Sequence, residues 1–559
     1  MDPHKKKRYD RQLRMWGEHG QEALEQCKLC LLNGSATGTE LLKNLVLPGV
    51  GSFTVVDGAT VTARDLGNNF FLEEAHIGRP RAECVTALLQ ELNEHVRGSF
   101  VSENPGSLLR NNPGFLDEFN FIVATQLPEP TMRMLADACA ERNLPLVVLR
   151  SYGLVGTVRV AVSEHTVVEA HPDNAPTDLR ACAPFPELLA FVSERFGDLG
   201  KLTTAARKHV PYIVLLLHVL DLYRAAHGGV LPASYKEKQL VKQALGQLAE
   251  GWFGVGLAED AMNFEEAKLA VNTAVAPPSV PSNTRAVLVE ALARLSQQLP
   301  TGPCEASSSP IVSDLVVIKS RNFWILAAAL ARFVEKEGNG ALPLVGTLPD
   351  MTADTSSYVD LASIYRAKAA ADAALVHAHV QAISVMLGLA EDALPIAETR
   401  LFCKNAHFLK WTRYRSIAEE LTPATARVAE LGKLLDDASQ AQGTSFYLLL
   451  RAADAFQSQY NRWPGTMDDD IESDVPLLKQ CVGHVLAEYK QQSGGSLVIP
   501  DDLVFEMCRF GAGEIHPVAS IVGGVASQEV IKLVTGQFEP LNNTYIYNGL
   551  NGTGVVAEL

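Results

Sequence analysis

The run Asn33-Gly34-Ser35-Ala36-Thr37-Gly38 follows a short apolar stretch and opens into Thr39-Glu40-Leu41-Leu42-Lys43-Asn44-Leu45-Val46-Leu47. A strand, a tight turn and a helix in that order can cradle a phosphate. Backbone amides at the helix N-terminus point at the anion, and glycines let the backbone approach it with no side chain in the way. Glycine is wanted at three places. Asn33 and Ser35 occupy the first two, Ala36 follows, and only Gly38 keeps the third. Asp57 ends the next apolar stretch about 20 residues further on, where a carboxylate would accept from ribose hydroxyls. The chemistry suggested is nucleotide binding, and the alternative is a Rossmann-like scaffold that has kept its shape without its ligand. An NAD(P)-dependent oxidoreductase would need the same loop, and the two missing glycines count against it.

Other reactive side chains form no recognisable constellation. Cysteines stand at 27, 30, 84, 139, 182, 304, 403, 481 and 508, an odd and scattered set that implies reduced thiols and a cytoplasmic setting, with the nucleus also open. Cys27 and Cys30 flank an apolar stretch and read as buried strand residues rather than a redox or zinc pair. Cys403, Cys481 and Cys508 are equally well explained by packing. His377 and His379 are two apart, which on a helix sends them to different faces, so no metal site is expected there. His516-Pro517 reads as a helix entry. Gly523-Gly524 inside that helix indicates close backbone packing against a sheet or a partner chain.

The elements that must position the loop follow from periodicity. Apolar runs at 28–32, 52–57, 99–102, 119–125 and 145–149 alternate with helical patterns at 38–47, 81–94 and 131–142, as in a doubly wound α/β fold with a parallel-rich sheet. A β-ribbon is expected at 156–162 and 166–169, and prolines at 172, 176, 184 and 186 then break the pattern. Helical period dominates from 186 to 487, for example at 212–226, 286–299, 321–336 and 364–387. Pro/Ser-rich connections lie at 277–283 and 300–310, and the acidic run 468–474 reads as a solvated loop. Strand–helix alternation returns with 497–499, a helix at 517–535, then strands at 543–548 and 553–558. The expected division is an α/β domain contributed by residues 1–170 and 488–559, interrupted by a helical domain at 171–487.

Composition narrows the partners. The 559 residues are 47% hydrophobic and 20% charged, with 48 basic against 64 acidic side chains and a net charge of −16. Nucleic acid and anionic membrane both need clustered positive charge, so neither is expected as the main partner. The basic run Lys5 to Arg8 reads as a solvated, frayed terminus, and no apolar run suggests a membrane span.

Three segments carry a resemblance: Tyr9-Asp10-Arg11-Gln12-Leu13-Arg14-Met15-Trp16-Gly17, residues 38–47, and the stretch from Glu514 through His516-Pro517 to Lys532. Together they resemble the ubiquitin-activating enzyme family. The resemblance implies a pair of related adenylation folds, of which one half binds ATP and adenylates the C-terminal glycine of a ubiquitin-like modifier while the other is a structural partner. The active half carries two aspartates after the second strand and an S-N-L-N-R-Q motif. Here Asp57 keeps the first acid and Ala59 replaces the second. Asn68 stands at the motif's arginine, Asn69 at its glutamine, Arg79 or Arg81 at the phosphate-contacting lysine, and Gln126 at the magnesium-binding aspartate. A neutral amide is a poor substitute for an anionic ligand of a hard cation.

The resemblance therefore implies a non-catalytic half with no cofactor of its own, ATP and magnesium being held by the partner subunit. Arg11 matches the arginine that this half sends across the interface to the partner's nucleotide, a task suited to a planar, permanently charged donor. The long helical insertion is similar to that of the family's neddylation branch, which implies three partners: a catalytic subunit carrying the thioester-forming cysteine, the modifier, and a conjugating enzyme. An uncharged loop containing Gly340, Leu342, Pro343, Val345 and Leu348 is a candidate partner surface, as are Pro211 and Tyr212. A self-sufficient adenylating enzyme with relaxed motifs is the rival within the family, and a free-standing adaptor with no enzyme role the rival outside it.

Overall fold

The computed structural model describes residues 3–173, 177–254, 261–275, 279–298, 315–493 and 498–559. Its strands are β1 (Lys28–Leu32), β2 (Ser52–Val56), β3 (Arg97–Val101), β4 (Phe121–Thr125), β5 (Leu146–Tyr152), β6 (Val155–Ala161), β7 (His165–Val167), β8 (Lys410–Thr412), β9 (Thr544–Asn548) and β10 (Thr553–Ala557). Eight of them form one sheet in the order β10-β9-β6-β5-β4-β1-β2-β3, and β7 with β8 makes a separate two-stranded ribbon. The five strands from β5 to β3 along this order run parallel, while β6, β9 and β10 extend the sheet antiparallel. The parallel-rich Rossmann-like sheet expected from the sequence is therefore present, and its helical crossovers Ala36–Val46, Arg81–Glu91 and Glu129–Glu141 lie close to the expected spans. A further helix, Pro105–Asn111, carries no apolar period long enough to announce itself and starts instead at an Asn104 cap.

Strand alternation sends side chains to two cores. Leu29, Leu31 and Val55 face a layer that includes Val518, Val522, Ala526 and Val530 of the helix His516–Thr535. Cys30, Leu32, Ile122 and Ala124 face the opposite layer with Leu135. The His516–Thr535 helix is long and apolar enough to cross a membrane, but Val518, Val522, Ala526 and Val530 are buried in the core beside the sheet.

Gly523 explains how closely those two helices approach. A Cβ added there would meet the backbone nitrogen of Leu41 at 2.8 Å, whereas one added at Gly524 would meet nothing within 4 Å. We expect Gly523→Ala to destabilise by about 1–3 kcal/mol through overpacking. Gly524→Ala should be neutral or stabilising by up to about 1 kcal/mol through helix propensity. Urea-unfolding midpoints of the two variants check this, and equal effects would refute the close approach.

The chain forms two compact units: Met1–Val167 with Trp411–Leu559, and Val168–Lys410. The helical insertion thus closes at Lys410 rather than at 487. Helical period cannot say which core a helix serves. The helices Val428–Asp436, Ala441–Tyr460, Ile471–Ser493 and Asp501–Phe510 cover Ile546 of β9 and Val555 and Ala557 of β10, and so belong to the α/β unit. The second unit is helical, built around Tyr212–Ala226, with Val214, Leu216 and Leu217 buried against Phe264 and Tyr365.

Three smaller expectations are corrected. The acidic run is not a loop, since Asp474 lies in a helix with a fully buried side chain that accepts from Arg462 at 2.6 Å and from the Gly465 amide at 2.8 Å. The basic N-terminus is helical over Pro3–Arg8, with Lys5 paired to Glu25 at 3.1 Å and Lys6 to Glu18 at 2.7 Å. Val498 and Ile499 are not in a strand. Leu497, Cys304 and the connection at 300–310 lie outside the described residues, as do 277 and 278.

Candidate functional site

β1 has β2 on one side and β4 on the other, so the chain connections leave their carboxyl ends in opposite directions. In open α/β sheets this is where ligands bind. Asn33, Asp57 and Gln126 each follow one of these three strands, and the structure brings them together with Ser35, Ala36 and Gly38.

The turn after β1 begins at Asn33 with a φ of 75°, the left-handed conformation that glycine would supply and asparagine tolerates. Ser35, at the second glycine position, caps the helix by accepting from the Gly38 amide at 3.5 Å, and its hydroxyl meets that of Thr125 at 3.1 Å. Gly38 is retained for packing: a Cβ there would approach Leu31 and the Asn33 carbonyl at 3.0 Å. Ala36, beside it, is buried at 4% exposure. The glycines missing from the loop are the two that admit phosphate, and the one kept is the one the strand–helix contact requires.

The positions a nucleotide would occupy hold the chain's own charges. Thr37 donates from its amide at 2.9 Å and from its hydroxyl at 2.7 Å to the Glu514 carboxylate. An anion therefore already sits on the helix N-terminus, where the amides and the helix dipole favour it, and a phosphate would be repelled. Asp57 is 3% exposed. Its carboxylate accepts from the amides of Gly34 at 3.0 Å and Ala59 at 2.8 Å, and from Arg81 Nε at 2.7 Å. Arg81 also donates to Asp65 at 2.9 Å and to Asn33 Oδ1 at 2.8 Å. Burial works against the Arg81 charge, but Asp57 and Asp65 outweigh it and hold the guanidinium protonated more firmly than usual. Burial likewise opposes the Asp65 charge, and bonds from Thr62 together with Arg81 outweigh it, holding that carboxyl below the usual range. Arg79, the alternative for the phosphate-contacting position, is exposed and paired with Glu83 at 2.7 Å.

Gln126 adopts a φ of 52° and pairs in both directions with Ser151, donating to its carbonyl at 2.7 Å and accepting from its amide at 3.1 Å. Only a side chain that both donates and accepts can do this, so a carboxylate could not replace Gln126 without losing one bond. The Asn68 side chain donates to the Glu514 carbonyl at 3.1 Å and its backbone carbonyl accepts from His516 Nδ1 at 3.2 Å, which ties the 514–516 segment down. Asn69 is buried, at 4% exposure.

Arg11 is presented differently. It lies in the segment Asp10–Glu25, helical on both sides of a kink at Gly17, whose aromatic residues beside Arg11 are held in place: Tyr9 is 1% exposed and accepts from Asn93 at 3.0 Å, and Trp16 packs against the core beside the sheet. Arg11 itself is exposed and makes no hydrogen bond or ion pair among the described residues.

The candidate partner surface is corrected by burial. Leu342 is 3% exposed, Tyr212 is 7% exposed, and Pro211 and Pro343 are buried. Val345 and Leu348 are half-buried, and only Gly340 is exposed. The uncharged loop has its aliphatic side chains inside its own unit, so its polarity reflected packing there. Sequence reasoning also missed Glu514 as a site residue. No local signal marks it, because its partner Thr37 lies at the other end of the chain.

A sequence model described as the ThiF family matches residues 9–558. The chain is 42% identical over 560 residues to the "NEDD8-activating enzyme E1 regulatory subunit" of Gallus gallus, covering 99% of this chain and 98% of that protein. It is 43% identical over 561 residues to the protein of the same name from Xenopus laevis, covering 99% of each. It is 41% identical over 546 residues to "NEDD8-activating enzyme E1 regulatory subunit AXR1" of Arabidopsis thaliana, covering 98% and 95%. With the match running nearly end to end, the chain belongs to the ThiF family and, within it, to the regulatory subunits of the NEDD8-activating enzyme E1.

Proposed function

We propose that this chain is the non-catalytic half of a heterodimeric activating enzyme for NEDD8, acting in the cytoplasm. The partner subunit holds ATP and magnesium, adenylates the modifier's C-terminal glycine, carries the modifier as a thioester on its own cysteine and passes it to a conjugating enzyme. This chain completes the partner's site by presenting Arg11 and provides surfaces that shape the groove. The observation that carries the reading is the internally filled pseudo-site. Glu514 occupies the phosphate position on the helix N-terminus, Arg81 neutralises the ribose-type carboxylate, and Gln126 spends its amide on Ser151. Adenylation needs positive groups and a metal to stabilise charge as pyrophosphate leaves, and those interactions here are used within the chain.

The test is ATP–pyrophosphate exchange with NEDD8, measured for the chain alone and for the pair with its catalytic subunit. Silence from the chain alone with exchange from the pair is expected. Exchange by the chain alone would establish the self-sufficient reading instead.

A further inference from the structure

We propose that Asn93 is a positioning residue for Arg11, acting through the hydroxyl of Tyr9. The inference rests on the trans role proposed above for Arg11 and adds the part of this chain that aims it.

An arginine side chain is long and has many rotamers, so the direction in which it leaves the backbone is set by the segment that carries it. Tyr9 opens that segment. Its amide donates to the Lys5 carbonyl at 2.9 Å and its carbonyl accepts from the Leu13 amide at 2.9 Å, so helical hydrogen bonding runs through this residue. Successive residues on a helix turn by about 100°, which puts Arg11 roughly opposite Tyr9. The Tyr9 ring is buried and Arg11 is exposed. The buried ring therefore fixes the face from which the guanidinium leaves.

The ring ends in a seat at the turn that follows the helix Ala36–Val46. Asn93, itself 1% exposed, donates from Nδ2 to the Tyr9 hydroxyl at 3.0 Å and to the Val46 carbonyl at 2.8 Å. Its Oδ1 accepts from the His95 amide at 3.2 Å, which holds the amide group in orientation. Gly49, at a φ of 91°, leaves the space that the ring tip fills, since a Cβ there would stand 2.6 Å from the Tyr9 oxygen. Gln21, fully buried, donates to the Pro48 carbonyl at 2.8 Å. The same turn thus holds the segment on both sides of its kink at Gly17. Apolar burial alone leaves a ring free to slide and rotate, whereas a directional bond to a fixed donor sets its depth. With Tyr9 and Asn93 both buried, their route to the partner's nucleotide is through the segment that carries Arg11.

The experiment measures ATP–pyrophosphate exchange by the assembled heterodimer with NEDD8 for Tyr9→Phe and Asn93→Leu, each with Arg11 present and in an Arg11→Ala background. Tyr9→Phe deletes one hydroxyl and keeps the buried ring, and is expected to lower exchange by about threefold to tenfold, the worth of one hydrogen bond. Asn93→Leu releases both ends of the link and is expected to lower it by about tenfold or more, as a misplacement of about 1 Å does. In the Arg11→Ala background neither substitution should lower exchange further, because nothing is left to aim. Poor folding or weakened assembly lowers exchange by the same factor in both backgrounds, and that result for Tyr9→Phe overturns the proposal. Full activity of Tyr9→Phe with Arg11 present also overturns it. Exchange undiminished by Arg11→Ala alone removes the trans role and the positioning role with it, so the two failures read out separately.

Discussion

Arg11→Ala in the assembled heterodimer is expected to lower ATP–pyrophosphate exchange by about 10²–10³-fold, the loss typical of removing one preorganised donor from a transition state that develops charge. The expectation rests on how the segment is held. Tyr9, bonded to Asn93, and Trp16, packed against the core beside the sheet, hold the segment Asp10–Glu25 on the α/β unit, while Arg11 is exposed and makes no ion pair among the described residues. A guanidinium that is exposed in the isolated chain has its charge-assisted bonds still to make. Arg14, one turn on, is committed to Asp10 at 3.1 Å, so Arg14→Ala is the matched control and should leave exchange near its original rate. Arg11→Lys should restore only part of the activity, since an ammonium cannot reproduce the planar fork. The unfolding midpoint of the Arg11→Ala chain should not move. Exchange undiminished by Arg11→Ala would remove the trans role, and the proposed function would then rest on scaffolding alone.

Asp57→Ala should destabilise the isolated chain by about 3–5 kcal/mol, because it leaves the Arg81 guanidinium in a largely buried position without its closest anion. Side-chain exposures of 16% for Arg81 and 5% for Asp57 place the pair away from solvent screening. The amides of Gly34 and Ala59 lose their acceptor at the same time. Arg81→Met in the same background should recover part of the loss, and the double-mutant cycle read by urea unfolding isolates the coupling. If Asp57 were instead a ribose ligand in a working site, Asp57→Ala would cost little stability and would abolish a nucleotide signal from the chain alone. A loss below about 1 kcal/mol with no recovery in the double variant would show that the pair does not close the site.

Much of this fold was legible before the structure. β1, β2 and β4 are short, apolar on both faces and bounded by turn residues, as buried parallel strands must be, and the helices between them carry their own period. The second unit was legible as helical but not in extent. The helices of residues 428–510 have the same local pattern as those of the insertion, and only their packing on β9 and β10 assigns them to the sheet. The loop at 338–349 misled for a related reason: an uncharged aliphatic segment looks the same whether it will meet a partner or its own core, and Leu342 and Leu344 meet their own. Asp474 shows the opposite error, an acid in an acidic run that folding buries because Arg462 and the Gly465 amide converge on it.

The candidate site divides along the same line. By itself the amino-acid sequence determined that the phosphate loop had lost its first two glycines, a property of residue type and short spacing. Its resemblance to the ubiquitin-activating enzyme family implied that a neutral Gln126 stood where a metal ligand would be needed and that Arg11 belonged to the segment sent across to the partner. Only the tertiary structure decided what became of the vacated positions. Glu514 returns from the far end of the chain to cap the helix at Thr37, and Arg81 folds over Asp57 to reach Asn33. A missing group is visible in one dimension, but the group that replaces it is chosen by three-dimensional proximity, because a buried charge is stable only where the fold supplies its counter-charge.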